Sequence, residues 1–300
     1  MADAPLQPPQ TKAAATPRRP GLRPDIATLG GIAVALAGIV GGLLLEKGSI
    51  QDVAQATAAM IVIGGTLGAV LVTTPMPVFV RACKGLGSAF FERGSSTATT
   101  IESLIQYAAK ARKNGIVSLE VDTATIADPF LRRALNLAVD GTDLQELRKM
   151  MELDIDLSEQ SAEAEAKVWE AAGGYAPTIG IIGAVMGLIQ VMKNLEDIKA
   201  VGHGIAVAFV ATVYGVGSAN IFFLPVANKL KARMRSATVL KELALEGVVG
   251  IVEGLNPTLI RMKLDAYNQD APKSAKAKPV KAGSAAAKTG LAGRTAPGEG

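Results

Sequence analysis

The sequence predicts an all-α membrane protein with four transmembrane helices and a large cytoplasmic helical loop between the second and the third. Hydrophobic residues make up 49% of the 300 residues and charged residues 19%. The chain is therefore too apolar for an ordinary soluble domain and too charged to be fully embedded. Four apolar runs are long enough for a helix that crosses a bilayer, which needs about 20 residues. Amphipathic helical patterns fill the long interval between the second and third runs.

The first two crossings are predicted at residues 26–45 and 53–80, joined by a short polar turn. The second run ends in TTPMPVFV, and its two prolines are expected to break or tilt the helix near the membrane surface. A cleaved signal peptide is the alternative for the first run. Against it, the run is long for a signal peptide, ends in GGLLLEKG rather than a small-residue cleavage site, and is followed almost at once by the second run.

The third and fourth crossings are predicted at residues 176–192 and 204–227. They contain no Asp, Glu, Lys, Arg or His but are rich in Gly, Thr, Pro and Asn. Hydrocarbon offers the backbone no water, so both runs should be helices, and their small residues allow close helix packing. A path for ions along these helices would therefore need its charged group from another chain.

The remaining segments follow from these runs. Residues 1–24 and 266–300 are rich in Ala, Pro, Lys and Gly, and such segments bury too little apolar surface to fold, so we expect a disordered leader and a disordered tail. Between them we expect two pairs of crossings, at residues 25–80 and 171–228. A cytoplasmic helical domain at residues 81–170 separates the two pairs, and a final group of cytoplasmic helices follows at residues 229–265.

Basic residues mark the orientation of the crossings. They precede the first crossing, follow the second and follow the fourth, at Arg18, Arg19, Arg23, Arg81, Lys84, Lys229, Lys231, Arg233 and Arg235. By the positive-inside rule, the protein is expected to be a multi-pass protein of the inner membrane, in contact with the lipid bilayer and with both termini in the cytoplasm. The net charge of +4 is modest, and no basic patch is interleaved with aromatic residues, so no nucleic-acid partner is predicted.

Candidate catalytic chemistry is sparse. The sequence has one histidine, His203, and one cysteine, Cys83, which excludes an intrachain disulfide and argues against histidine-based triads and the usual zinc sites. It contains neither a phosphate-binding glycine loop nor an HExxH motif. We therefore predict no enzyme, no catalytic residue, no metal site and no cofactor.

Four motifs carry a family resemblance. In chain order they are AAKARKNGIVSLE, PTIGIIGAVMGLIQVM, GIAVAFVATVYGVGSANIFFLPVANKL and GLNPTLIRMKL. Together with the order of the crossings, they make residues 25–265 similar to the A subunit of the bacterial flagellar motor stator, the MotA/PomA family. The resemblance implies five A subunits around two MotB-like B subunits, each of which supplies a membrane aspartate. It also implies that ion flow drives rotation and that the domain at residues 81–170 faces the rotor switch protein FliG.

The resemblance also assigns candidate residues in the loop and at the membrane edge. Arg112 and Glu120 match loop charges that engage FliG, although exposed charges of this kind can equally be the solvated side of an amphipathic helix. Pro177 and Pro225 match two prolines linked to conformational switching. Their alternatives are a first-turn proline for Pro177 and a simple kink for Pro225.

Further candidates concern the ion. Thr212 matches a pore-facing threonine of the family, whereas Ala184 and Ala211 occupy positions where sodium-driven members tend to carry threonine. Sodium needs several oxygen ligands, so the two missing hydroxyls favour proton coupling. Tyr214 and Asn220 are either polar groups of the path or ordinary hydrogen-bonding residues between helices.

Two competing functions stay open. An energiser of outer-membrane transport or envelope integrity, similar to ExbB and TolQ, belongs to the same superfamily but generally has three spans, with the large loop after the first. A non-conducting membrane scaffold would use the small residues of the third and fourth crossings for packing alone. Asp25, at the start of the first crossing, is explained most simply as a charge at a helix N-terminus.

Overall fold

A computed structural model describes residues 22–93 and 97–268. Residues 1–21 and 269–300, which hold nearly all of the predicted leader and tail, lie outside the described residues. The elements, in chain order, are β1 (Leu22–Pro24), α1 (Ile26–Leu45), α2 (Ile50–Val53), α3 (Ala56–Ala59), a π-helical turn (Met60–Gly64), α4 (Gly65–Thr73), α5 (Met76–Phe90), β2 (Phe91–Arg93), α6 (Thr97–Asn114), a 3₁₀ turn (Ile116–Leu119), α7 (Glu120–Thr123), α8 (Pro129–Val139), α9 (Leu144–Lys193), α10 (Ile198–Gly217), a second π-helical turn (Ser218–Phe223), α11 (Leu224–Val252), α12 (Pro257–Asp265) and a final 3₁₀ turn (Ala266–Asn268).

The predicted all-α membrane fold is confirmed for the described residues. Four helical stretches are long and apolar enough to cross a membrane: Ile26–Leu45, Ala56–Thr73, Leu144–Lys193 and Ile198–Val252. We call the apolar parts of these stretches spans one to four. The small departure from an all-helical chain is an antiparallel ribbon in which β1 pairs with β2, with Leu22 opposite Arg93 and Pro24 opposite Phe91.

Span two ends where its prolines predict a break. The helix stops at Thr73, and α5 starts at Met76 after Pro75, whose φ of −58° and ψ of 136° are extended rather than helical. Pro77 then occupies the first turn of α5, where its missing N–H leaves no hydrogen bond unmade. The apolar run of residues 53–80 is therefore two helices rather than one.

Helix α9 is continuous from the loop region into the membrane. It runs for 50 residues, about 75 Å at 1.5 Å per residue, and is capped by Asp143, whose carboxylate accepts a hydrogen bond from the Gln145 N–H. Pro177 lies inside this helix. Its explanation as a first-turn proline is therefore wrong, because the helix starts more than thirty residues earlier. A continuous helix can transmit movement between the membrane and the loop region.

The largest hydrophobic core lies outside the spans. We call this part the head: α6, α7, α8 and α12, with the N-terminal part of α9 and the C-terminal part of α11. Its fully buried side chains include Leu104, Leu135, Leu147, Leu243 and Leu264. A second cluster, around Trp169 and Phe223, lies where α9 and α11 meet the end of span two. The head is thus a packed helical unit built on the extensions of spans three and four.

Helix α1 is held mainly at Asp25, the N-cap residue that precedes it. None of its residues is buried, but the Asp25 carboxylate accepts the Thr28 N–H at 3.1 Å and pairs with Lys229 Nζ at 2.5 Å and Arg233 Nη2 at 3.0 Å. Arg233 also donates to the Phe91 carbonyl at 2.5 Å. The hydrogen bond from Lys229 is the main cause that holds the pKa of Asp25 well below its ordinary value, followed by the Thr28 N–H. Asp25 caps α1, as expected, and also ties it to α11.

Substitutions at Asp25 separate these two roles. Asp25→Asn keeps a good capping side chain but removes the ion pairs, whereas Asp25→Ala removes both and should cost about 1 kcal/mol more, the usual value of a cap. Because the pKa of Asp25 is lowered in the folded protein, the contribution of its charge is complete at neutral pH and declines as the pH falls below about 4. Thermal unfolding of the wild type and both variants in detergent, at pH 7 and at about pH 2.5, tests this order, and the advantage of the wild type over Asp25→Asn should shrink at the lower pH. Equal melting temperatures for wild type and Asp25→Ala at pH 7 would contradict it.

Candidate functional site

Spans three and four meet along a seam of small residues. A Cβ atom added at Gly215 would lie 2.6 Å from the Ala176 carbonyl oxygen and 3.0 Å from the Gly180 Cα, and one added at Gly187 would lie 2.8 Å from the Gly204 carbonyl oxygen. Real Cβ atoms do not come this close to backbone atoms. The two backbones are therefore in direct contact, as in other membrane helix pairs joined by glycine.

Span two covers one side of this seam. Ile61 lies against Gly183, Gly65 lies against Ile179 of span three, and Val62 packs with Val210 of span four. The Tyr214 hydroxyl donates to the Val53 carbonyl at 2.6 Å and accepts the Gln55 N–H at 3.4 Å. Of its two alternatives, Tyr214 is thus the hydrogen-bonding residue between helices.

The three candidate residues for the ion do not lie together. Ala211 is fully buried in the seam, where a Cβ at Gly183 would come within 2.8 Å of its own. Ala184 and Thr212 are half-buried, and each follows a seam residue by one position, on the side of the helix opposite to span two. Thr212 donates its hydroxyl to the Ala208 carbonyl at 3.3 Å, which leaves its oxygen able to accept. A hydroxyl at position 211 would lie between the helices rather than on the side shared by Ala184 and Thr212.

The two candidate prolines flank the same crossing point. Pro177 is half-buried in α9, and the residue four positions before it, Gly173, is packed against Leu224, the neighbour of Pro225. A Cβ at Gly173 would lie 2.5 Å from the Leu224 side chain. The ring of a proline inside a helix crowds the backbone carbonyl of the residue four positions earlier, which for Pro177 is Gly173. Both prolines therefore lie at one end of the seam, next to the contact between Gly173 and Leu224.

Span four is π-helical just before Pro225. Because Pro225 has no N–H and its ring crowds the carbonyl of Ile221, the wider turn at Ser218–Phe223 accommodates it. Asn220 lies in this turn and donates its amide to the Val216 carbonyl at 2.9 Å, within its own helix. Pro225 itself is exposed and lines a groove of about 470 Å³ between α1 and α11. π-Helical turns are frequent at functional sites in other proteins.

The outer face of spans three and four is apolar and exposed in the single chain. Ile181, Val185 and Leu188 are each at least half exposed, as are Phe209 and Val213. Among the described residues, no group of three or more His, Cys, Asp or Glu side chains could hold a metal ion. This face offers packing surface and a threonine hydroxyl, but no titratable group, to whatever lies against it.

The loop candidates lie in the head. Arg112, in the last turn of α6, and Glu120, at the start of α7, are both exposed, and neither belongs to an ion pair within the described ranges. Their neighbours differ, because Lys110 and Asp122 pair with each other at 2.6 Å. Val117 and Val121, on either side of Glu120, are 63% and 78% exposed. This exposed apolar pair was not predicted from the sequence, although the valine between two acidic residues in EVD could have indicated it.

Comparison with known proteins agrees with this geometry. Residues 122–242 match the MotA/TolQ/ExbB proton channel family, and residues 29–115 match the motility protein A N-terminal family. Motility protein A of Bacillus subtilis is 34% identical over 247 residues, which cover 81% of this chain and 90% of that protein. This chain belongs to the motility protein A family.

Solved structures of the family have the same fold. The structure of C. jejuni MotAB matches with a TM-score of 0.79 and 31% identity, over 84% of this chain and 99% of that one. The flagellar MotAB stator complex of Bacillus subtilis matches with a TM-score of 0.75 and 32% identity, over 80% of this chain and 95% of that one. The resemblance that the four motifs indicate is confirmed. This chain covers nearly the whole length of the relative and of the two solved chains.

Proposed function

We propose that this chain is the ion-conducting A subunit of a flagellar motor stator, which assembles with a MotB-like B subunit and converts ion flow into rotation. Its spans would lie in the inner membrane, with both termini and the head in the cytoplasm, as the flanking basic residues favour. Five copies around two B subunits are the stoichiometry that the resemblance implies. The head would then contact the rotor switch protein FliG.

One observation carries the proposal: spans three and four form a closed, glycine-packed pair whose outer face has no titratable side chain. An ion that crosses beside this face needs a carboxylate, because an isolated ion is very costly in hydrocarbon. The B subunit's membrane aspartate would supply it. The side of the pair opposite to span two, with Ala184 and Thr212, is free to receive that helix.

The energy for rotation would come from the membrane potential. One charge that moves down 100 mV releases about 2.3 kcal/mol. Protonation of the B aspartate removes a buried charge and changes how its helix packs against spans three and four. Alternating protonation of two such aspartates would step the A ring around the B dimer. Because α9 is continuous through Pro177, a shift of span three is transmitted to the head, where Arg112 and Glu120 would push on FliG.

The positions of the candidate residues support protons as the coupling ion. The side chain of Ala184 has no oxygen atom, and Ala211 is enclosed in the seam. The Thr212 hydroxyl is therefore the side-chain oxygen that these three positions offer on the side opposite to span two. Sodium prefers several oxygen ligands, whereas a proton needs the carboxylate alone. One hydroxyl beside a borrowed aspartate therefore fits proton transfer better than sodium binding.

Gene removal and reconstitution test the proposal together. Deleting this gene should stop swimming while filaments are still made, and a plasmid copy of the gene should restore swimming. The restored swimming speed should fall when a protonophore is added and should not change with sodium concentration at fixed pH. In liposomes under an imposed voltage, the chain alone should carry no current, whereas the chain with its B subunit should carry protons. A saturable current from the chain alone would contradict the borrowed carboxylate.

The same experiment separates the alternatives. A deletion that leaves swimming intact but impairs energised uptake across the outer membrane would favour the ExbB/TolQ-like function. If the chain together with its B subunit carries no current and supports no swimming, the non-conducting scaffold would be favoured. Speed that follows sodium concentration and tolerates a protonophore would show the proton assignment to be wrong while the stator function stands.

A further inference from the structure

The head contains a pocket of about 390 Å³. Three helices contribute to it: the last turns of α6 and α8, and the end of α11. Val252, which lines it, lies 25 residues beyond Ala227 along one helix, about 38 Å at 1.5 Å per residue. The pocket is thus well away from the membrane, where a cytoplasmic partner can reach it.

Helix termination builds this pocket. Gly141 and Gly254 have φ values of 75° and 69°, which end α8 and α11 sharply, and both line the pocket. The N–H of Leu255 donates back to the Gly250 carbonyl at 3.0 Å, as in a Schellman motif. The chain therefore turns away at both ends and leaves a recess rather than a closed surface.

Most of the lining side chains are apolar, and Thr142 and Arg112 add one hydroxyl and one charge. Ala111, Ile116, Val252 and Leu255 supply hydrocarbon, and Arg112 supplies the charge. Arg112 and its neighbour Lys113 are exposed and, in the part of the chain that the structure describes, belong to no ion pair. A side chain that filled the recess would contact the hydrocarbon of these residues, and an acidic residue beside it would face Arg112. Large residues in such recesses usually dominate the energy of an interface.

Two exposed apolar side chains follow the recess closely in sequence. Ile116, in its wall, is followed directly by the exposed Val117, and Val121 is exposed one turn further, beside Glu120. Exposed charges mainly steer a partner and fix its register, and add little affinity. A motor that must transmit force needs contacts that resist sliding, which buried apolar side chains provide better than exposed ion pairs.

We propose that this recess receives an apolar side chain of the rotor protein, of about the size of leucine or phenylalanine and next to an acidic residue that faces Arg112. The inference rests on the proposed function and adds to it a second kind of contact. Arg112 and Glu120 orient the rotor protein, and the recess holds it while force is applied.

A filled recess tests this inference. Ala111→Phe places a ring in the recess, whereas Ala109→Phe places the same ring on an exposed position of the same helix, outside the lining. Purified A–B complexes in lipid nanodiscs are titrated with FliG from the same organism. We expect Ala111→Phe to weaken binding roughly thirtyfold, the scale of a lost interface anchor, and Ala109→Phe to change it less than twofold.

A second pair of variants tests the recess without a large ring, which could itself disturb folding. Ile116→Ala shortens the wall of the recess, and Val139→Ala shortens a side chain that is likewise partly buried against the head core but lies outside the recess. Both variants should melt at a slightly lower temperature, because each loses methyl groups packed against the core. Ile116→Ala should in addition weaken binding several-fold, whereas Val139→Ala should not. If the wild-type complex binds FliG and restores swimming, but both recess variants bind like their controls, the recess assignment fails alone. If the wild type does neither, the proposed function fails with it.

Discussion

Gly215→Leu is expected to abolish swimming and to prevent spans three and four from packing. The position has no space, because even a Cβ would lie 2.6 Å from the Ala176 carbonyl oxygen and 3.0 Å from the Gly180 Cα. Both neighbours are backbone atoms, which cannot move aside as a flexible side chain could. The helices must separate, and every close contact along the seam weakens together. Overpacking by a single methylene typically costs about 1–3 kcal/mol, and leucine adds several carbons.

A matched control lies two residues further along the same chain. A Cβ added at Gly217 would meet nothing within 4 Å, so Gly217→Ala should swim normally and Gly215→Ala should already be impaired. Swimming in soft agar, the amount of protein in the membrane and the melting temperature of the purified A–B complex give three independent measurements. Normal swimming and an unchanged melting temperature for Gly215→Leu would show that the seam is not closed in the working motor.

Arg112→Glu and Glu120→Lys should each reduce torque strongly while the protein stays folded. Both side chains are exposed and belong to no ion pair within the described residues, so their reversal breaks no internal contact. Charge reversal at an interface slows association and opposes the correct register, on the order of tenfold or more. Stall torque of tethered cells is the measurement, with the melting temperature and proton current of the complex expected to be unchanged.

Two controls make this result specific. Lys149→Glu reverses an exposed charge on α9 that likewise has no ion pair within the described residues, and it should leave torque unchanged. The opposite reversal of an acidic residue on FliG should restore torque to Arg112→Glu. Wild-type torque in both single variants and in the double variant would remove these residues from the rotor contact.

Much of the fold is predictable because it depends on local pattern. The four apolar runs, the break before Pro75 and the caps at Asp25 and Asp143 follow from composition, proline geometry and side chains that bond within two or three residues. The motifs led to the correct family for the same reason, since they are contiguous stretches of sequence. The spacing of Gly180, Gly183 and Gly187 also signals a close helix contact, although not its partner.

Other features depend on which helices become neighbours. Pattern alone divided α9 at the membrane edge, because its charged and apolar halves look like separate helices. The family resemblance grouped Ala211 with Ala184 and Thr212, whereas the crossing of spans three and four buries Ala211 between backbones.

The sequence by itself determined that this protein crosses a membrane four times, that spans three and four carry no charge, and that it belongs to the motility protein A family. Only the tertiary structure decided that Asp25 bonds Arg233 across 208 positions of sequence, that a glycine seam joins the last two spans, and that the helix ends of the head leave a recess beside Arg112. The reason is physical: composition and periodicity act over a few residues, whereas packing sets the distance between residues that are far apart in the chain.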